Sequence, residues 1–188
     1  IDYLKKTSKK NKLIYLRAVS SSYLPKWRPD QNYKKSYSAS LKLGGGVILD
    51  LSHEIDYINY LLGSINNISG QFDRLTDLTI DSEDYANILV QSNNQLQANI
   101  HINFASHCKN RMIVADFNDF SLQCDLINGV IKKYSEEKLI EEKEIKVHYN
   151  YTYEQQLDYF FSNMSQNMMN NIFKASDLFK KIINFKEN

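Results

Sequence analysis

Cysteine is almost missing from this chain: there are two, Cys108 and Cys124, in 188 residues. Two thiols cannot staple a small secreted scaffold, so a reducing compartment, the cytoplasm, is the expected location. Proline occurs twice and glycine six times, too few for a linker or a low-complexity chain. An excess of one charge is also lacking. The 23 Lys and Arg are balanced by 22 Asp and Glu, for a formal charge of +1, which argues against nucleic acid as a partner. No apolar run approaches the roughly 18 residues that a membrane helix needs, so no membrane partner is expected. The opening IDYLKKTSKKNK is basic with no apolar stretch behind it, unlike a signal peptide. It has no starting Met and reads as if cut from something longer.

Chemical motifs are equally sparse. There is no GxGxxG after a strand, no GxxxxGK[ST], no CxxC, no HExxH and no GxSxG. The chain therefore holds no recognisable cradle for a nucleotide phosphate, and no metal site is expected. Cys108 and His107 are neighbours in sequence, which says nothing of a catalytic pair.

What the chain does have is a 43% share of hydrophobic residues, enough for a sizeable core. Residues 1–12 carry five lysines and one aspartate and read as a solvated helix end or linker. Leu13–Ser21 alternates and is rich in β-formers, so it predicts a strand. Tyr23–Ser40 is irregular, yet it holds both prolines, the single Trp and three tyrosines; long loops of this kind are usually functional or disordered, and the aromatics speak against disorder. Gly46–Leu62 reads as one helix stopped by Gly63, with Ile48, Leu51, Ile55, Ile58 and Leu62 forming a buried stripe. The period then falls to two. Strands are expected over Ile68–Leu75, Tyr85–Ser92, Gln95–Ala105, Arg111–Ala115, Phe120–Ile127, Val130–Tyr134 and Lys143–Tyr149, with hairpin turns at Asn93-Asn94 and Asn128-Gly129. Helical spacing returns over Tyr153–Met169 and Lys174–Phe185. Strand, loop, helix, a run of strands and two helices make a segregated α+β fold with an open, mainly antiparallel sheet.

On the Gly46–Leu62 helix, Asp50 and His53 are three residues apart and share one face, with Tyr57 a turn later. That face lies about 150° from the apolar stripe, so it points away from the core. A carboxylate beside an imidazole can orient it for proton transfer, and the preceding Gly44, Gly45 and Gly46 allow a substrate or another backbone to come close. An exposed face carrying an ordinary ion pair would have the same spacing.

The segment GGGVILDLSHEIDYINYLLG resembles the signature helix in the C-terminal domain of the glucose-fructose oxidoreductase / inositol dehydrogenase / MocA (Gfo/Idh/MocA) family. The preceding YLPKWRPDQNYKKSYSAS is similar to the loop before that helix in members from surface-polysaccharide and nucleotide-sugar pathways. The likeness runs from about Leu13 to Phe185. It implies an open sheet with helices on one face, which binds substrate and, through the other face, forms a homo-oligomer. The NAD or NADP and a catalytic lysine would belong to an N-terminal Rossmann domain outside this chain, with residues 1–12 as the remnant of the connection and 13–188 as the substrate and oligomerisation domain. No bound cofactor is expected for this chain alone. By resemblance Asp50 and His53 are the catalytic pair, although many members space the two four apart rather than three. Tyr23, Trp27, Arg28, Tyr37 and Tyr57 become candidates for substrate contacts, and Gly44, Gly45 and Gly46 lie near the cofactor.

Two functions stay open. The first is the substrate half of an NAD(P)-dependent oxidoreductase acting on a sugar or nucleotide-sugar hydroxyl. The second is a non-catalytic binding or assembly module that kept the sheet without the chemistry.

Overall fold

A computed structural model describes residues 1–145, 150–163 and 171–187. Strand β1 (Leu13–Tyr23) lies mid-sheet, between β4 (Gln97–Asn103), to which it runs parallel, and β5 (Ala105–Phe117), to which it runs antiparallel. The remaining strands are β2 (Ile65–Asp73), β3 (Tyr85–Ser92), β6 (Ser121–Asp125), β7 (Val130–Ser135) and β8 (Lys138–Glu144). All pair antiparallel, in the order β2-β3-β4-β1-β5-β6-β7-β8. The expected open, mainly antiparallel sheet is therefore present, with one parallel pair at its centre.

The strands bury alternate residues on one face: Leu16 and Ala18 of β1, Ala86, Ile88 and Val90 of β3, Ala98, Ile100 and Ile102 of β4, and Ile113, Ala115 and Phe117 of β5. Helices α2 (Val47–Asp50), α3 (Ser52–Leu62) and α5 (Ile172–Glu187) cover that face. The predicted stripe of Ile48, Leu51, Ile55, Ile58 and Leu62 is buried throughout. Near the edge strand, Phe185 of α5 meets Phe72 of β2 edge-on at 5.4 Å.

Helix α1 (Asp2–Ser8) is docked rather than solvated. Leu4 is buried, and the Lys5 ammonium donates to the carbonyls of Tyr60 and Leu61. Those carbonyls, at the C-terminus of α3, lack intrahelical partners and carry the negative end of the helix dipole. Helix α4 (Tyr151–Ser162) is the opposite case, with no buried residue; Tyr153, Leu157, Phe160 and Phe161 are all exposed.

One boundary expected from the sequence needs adjusting. The last strand spans Lys138–Glu144, five residues before the expected Lys143 start. Its hairpin turns at Glu136-Glu137, both at positive φ, without the Asn or Gly that normally marks such a turn. Residues 146–149 of that expected strand, and 164–169 of the expected Tyr153–Met169 helix, lie outside the described residues. The open face of the sheet is mixed in character. Ala86, Ile88 and Val90 of β3 and Ala98, Ile100 and Ile102 of β4 turn toward the helices, leaving the exposed Leu89 among Asn87, Gln91, Gln97, Asn99 and His101 on the other side.

Candidate functional site

The single predicted helix is two. Leu51, at φ −105° and ψ 22°, breaks it while its side chain stays in the core. Asp50 ends α2 and His53 sits in the first turn of α3, so the spacing of an unbroken helix does not govern how the two side chains meet. Among the described residues no hydrogen bond or ion pair joins them.

Asp50 looks toward the loop. Its Oδ2 is buried and unpaired, as is the Ser38 hydroxyl. Burial raises the Asp50 carboxyl above its ordinary value, and Glu83 adds to the rise; Ser38, Arg28 and Lys186 oppose it without cancelling it.

His53 opens onto a cavity of about 670 Å³ at the C-terminal end of β1, within the usual range for small-molecule sites. The sheet explains its position. Along β5 the inward residues Phe117, Ala115 and Ile113 are buried and apolar, and the same parity then brings Arg111, Lys109 and His107. On β1 the inward Leu16 and Ala18 give way to Ser20 and Ser22. Where the apolar stripe ends on both strands, the cavity begins. Four cations (Lys26, Arg28, Lys109 and Arg111) and two imidazoles (His53 and His107) line it, with no carboxylate among the lining side chains.

Of the sequence candidates, Tyr23, Trp27, Arg28 and His53 meet here. The Tyr23 ring lies 4.1 Å from His107. Trp27 donates its indole N–H to Ser22 at 2.7 Å and stands edge-on to the buried Phe104, so it belongs to both core and wall. Tyr37 stands behind, its ring under the Arg28 guanidinium and its hydroxyl accepting from Nη2 at 3.4 Å. Tyr57 does not share an exposed face with His53, as the helical wheel suggested: it is buried, with its hydroxyl given to Glu54. A groove of about 700 Å³ along β2 has Lys181 as its one ionisable lining residue, and that ammonium is held by Asp177 and the Ile65 carbonyl.

Glu54 is the site residue that sequence reasoning missed. It is fully buried. Its Oε1 accepts from Arg111 Nε at 2.8 Å and lies 3.1 Å from His53 Nε2, and its Oε2 accepts from the Tyr57 hydroxyl. Burial alone would raise this carboxyl; His53, Tyr57 and Arg111 outweigh that and hold it below the ordinary value. Burial, and after it Glu54, push the Tyr57 hydroxyl far up, against the opposing charge of Arg111. A charged residue next to the buried Ile55 was the available signal, since a carboxylate there needs partners.

The glycine turn is filled by the chain itself. A Cβ on Gly45 would meet the Tyr37 and Ser38 carbonyls, and one on Gly46, at φ +109°, would meet the Glu83 carboxylate. Glu83 accepts the backbone N–H of Ile48 and is clamped by Lys186, both oxygens at 2.8 Å. With an anion already at this helix start, the turn does not fit the pyrophosphate of a dinucleotide. Gly44 alone has open space around it.

The chain matches the GFO/IDH/MocA C-terminal domain over residues 2–118, and it belongs to that family. No curated protein matches it in sequence. Among solved structures it is similar to UDP-N-acetylglucosamine 3-dehydrogenase GnnA from Acidithiobacillus ferrooxidans, at TM-score 0.75 and 15% identity, covering 100% of this chain and 56% of that one. An NAD binding oxidoreductase from Klebsiella pneumoniae gives TM-score 0.74 and 13% identity, over 98% of this chain and 58% of that one. The WlbA dehydrogenase from Bordetella pertussis, solved with NADH and UDP-GlcNAcA, gives 0.66 and 12%, over 100% and 57%. At such identities the likeness is one of fold, and this chain spans a little over half the length of these relatives. No helix among the described residues is long and apolar enough to cross a membrane.

Proposed function

We propose that this chain is the substrate half of a cytoplasmic NAD(P)-dependent oxidoreductase acting on a nucleotide-sugar hydroxyl in surface-polysaccharide assembly. The observation that carries the reading is the acid-free cationic cavity with His53 in its wall. A sugar diphosphate needs cations for its phosphates and aromatic surface for its C–H faces. Lys26, Arg28, Lys109 and Arg111 offer the first, and Tyr23 and Trp27 the second. His53 is the proton-transfer residue at the reacting hydroxyl. Asp50 stands behind the cavity with its Oδ2 buried and unpaired.

The nicotinamide supplies the hydride chemistry when bound, and the part of the enzyme outside this chain holds it; at the glycine turn Glu83 already stands against Gly46. Two copies associate through the open sheet face, where Leu89 is exposed among polar residues.

A binding or assembly module without redox chemistry draws on the same closed glycine turn. Calorimetry with UDP-N-acetylglucosamine, UDP and N-acetylglucosamine tests the substrate class on either reading. Binding of the first two, weakened by Arg28→Ala and Lys109→Ala, is expected. Equal uptake of the uncharged sugar, or no uptake of UDP at low salt, overturns the nucleotide-sugar assignment.

A further inference from the structure

We propose that Glu54 is a positioning residue that aims two cavity groups at once, the His53 imidazole through its Nε2 edge and the Arg111 guanidinium through Nε. The inference rests on the reading of the cavity as the substrate site. Geometry carries it. The carboxylate is fully buried, while the two groups it holds are each partly exposed and each line the cavity.

The carboxylate cannot turn freely. Tyr57 holds Oε2 from inside the helix layer, so Oε1 is fixed toward the cavity wall. An arginine bound through Nε keeps the four N–H groups of its terminal nitrogens for a ligand, and among the described residues the Arg111 guanidinium makes no other hydrogen bond. A lysine at 111 would spend its only nitrogen on Glu54 and offer nothing in the same fork geometry. An imidazole whose Nε2 faces a carboxylate carries its proton there when neutral, leaving Nδ1 as the basic nitrogen. Glu54 thereby selects which ring nitrogen can take a proton from a substrate. Glu54 balances the charge of Arg111, and Lys26, Arg28 and Lys109 keep the cavity cationic.

The test is long-range ¹H–¹⁵N correlation of histidine-labelled chain, combined with calorimetry of UDP. In the wild-type chain, neutral His53 should be in the Nε2–H tautomer. A dominant Nδ1–H tautomer overturns the proposal, and this measurement needs no variant to fold. Glu54→Gln keeps the shape and removes the charge. It should mix the His53 tautomers and raise the Kd for UDP about tenfold, the worth of one hydrogen bond to a charged group. Unchanged tautomer and Kd in a folded Glu54→Gln overturn the proposal as well. If wild-type chain fails to bind UDP, the substrate reading falls, and the tautomer still decides the role of Glu54.

Discussion

Arg111 donates its Nε–H to Oε1 of Glu54 at 2.8 Å, across 57 positions of sequence. That bond ties the polar end of β5 to the first turns of α3 and sets the wall of the cavity. The rest of the cavity follows from strand parity, because the sheet positions that bury isoleucine further along present arginine, lysine and serine at this end.

The helix-facing stripe carries stability, whereas His53 does not. Ile55 is fully buried, so Ile55→Ala should cost about 2–5 kcal/mol. His53→Ala, at a side chain that is 52% exposed, should cost under about 1 kcal/mol. Urea denaturation of the two variants, read by circular dichroism, checks the contrast.

The clamp between the last turn of α5 and the glycine turn should be non-additive. Lys186 and Glu83 are both largely buried. Lys186→Met strands a carboxylate in the interior and should cost about 3 kcal/mol. Removing both charges, as Glu83→Gln with Lys186→Met, should cost less than the single change, since no lone buried ion remains. A double-mutant cycle by thermal melting gives the coupling.

Acid should weaken the fold through His101. Its Nδ1 donates to Asn87 Oδ1 and its Nε2 accepts from Asn103 Nδ2, each at 2.8 Å. The Asn103 amide is fixed in turn, because its oxygen accepts from the N–H groups of Ala105 and Ser106. A proton on Nε2 would face a donor, and burial already holds His101 below its usual 6.5. The folded state thus binds this proton less readily than the unfolded chain. The stability involved is fully present above about pH 6.5 and is lost as pH falls through the lowered folded value. His101→Gln should flatten the melting-temperature profile between about pH 7 and pH 5; a profile identical to wild type would count against it.

Ligand uptake should be electrostatic. With four cations on the wall, the Kd for UDP should rise as salt rises, and Lys109→Ala should both weaken binding and shallow that salt dependence. Calorimetry at two ionic strengths measures both effects.

The sequence makes the architecture readable because burial leaves a period, two along β3 and β4 and a three-four stripe over Ile48–Leu62. It also draws attention to Tyr23, Trp27 and Arg28, which line one cavity. What it conceals is tertiary. The break at Leu51 keeps that residue in the core, so the apolar spacing stays regular while Asp50 and His53 part company. Glu54 and Tyr57 look like ordinary polar and aromatic helix positions until Arg111 arrives from a distant strand. The Glu136-Glu137 turn carries none of the residues that favour positive φ.

The most direct measurement is turnover of the intact oxidoreductase with His53→Ala, set beside the melting temperature of the same variant. A fall in kcat of about 10²–10⁴ with melting little changed is expected if His53 moves the proton. Turnover equal to wild type, with the melting temperature lowered by several degrees, would make His53 a structural residue and contradict the account.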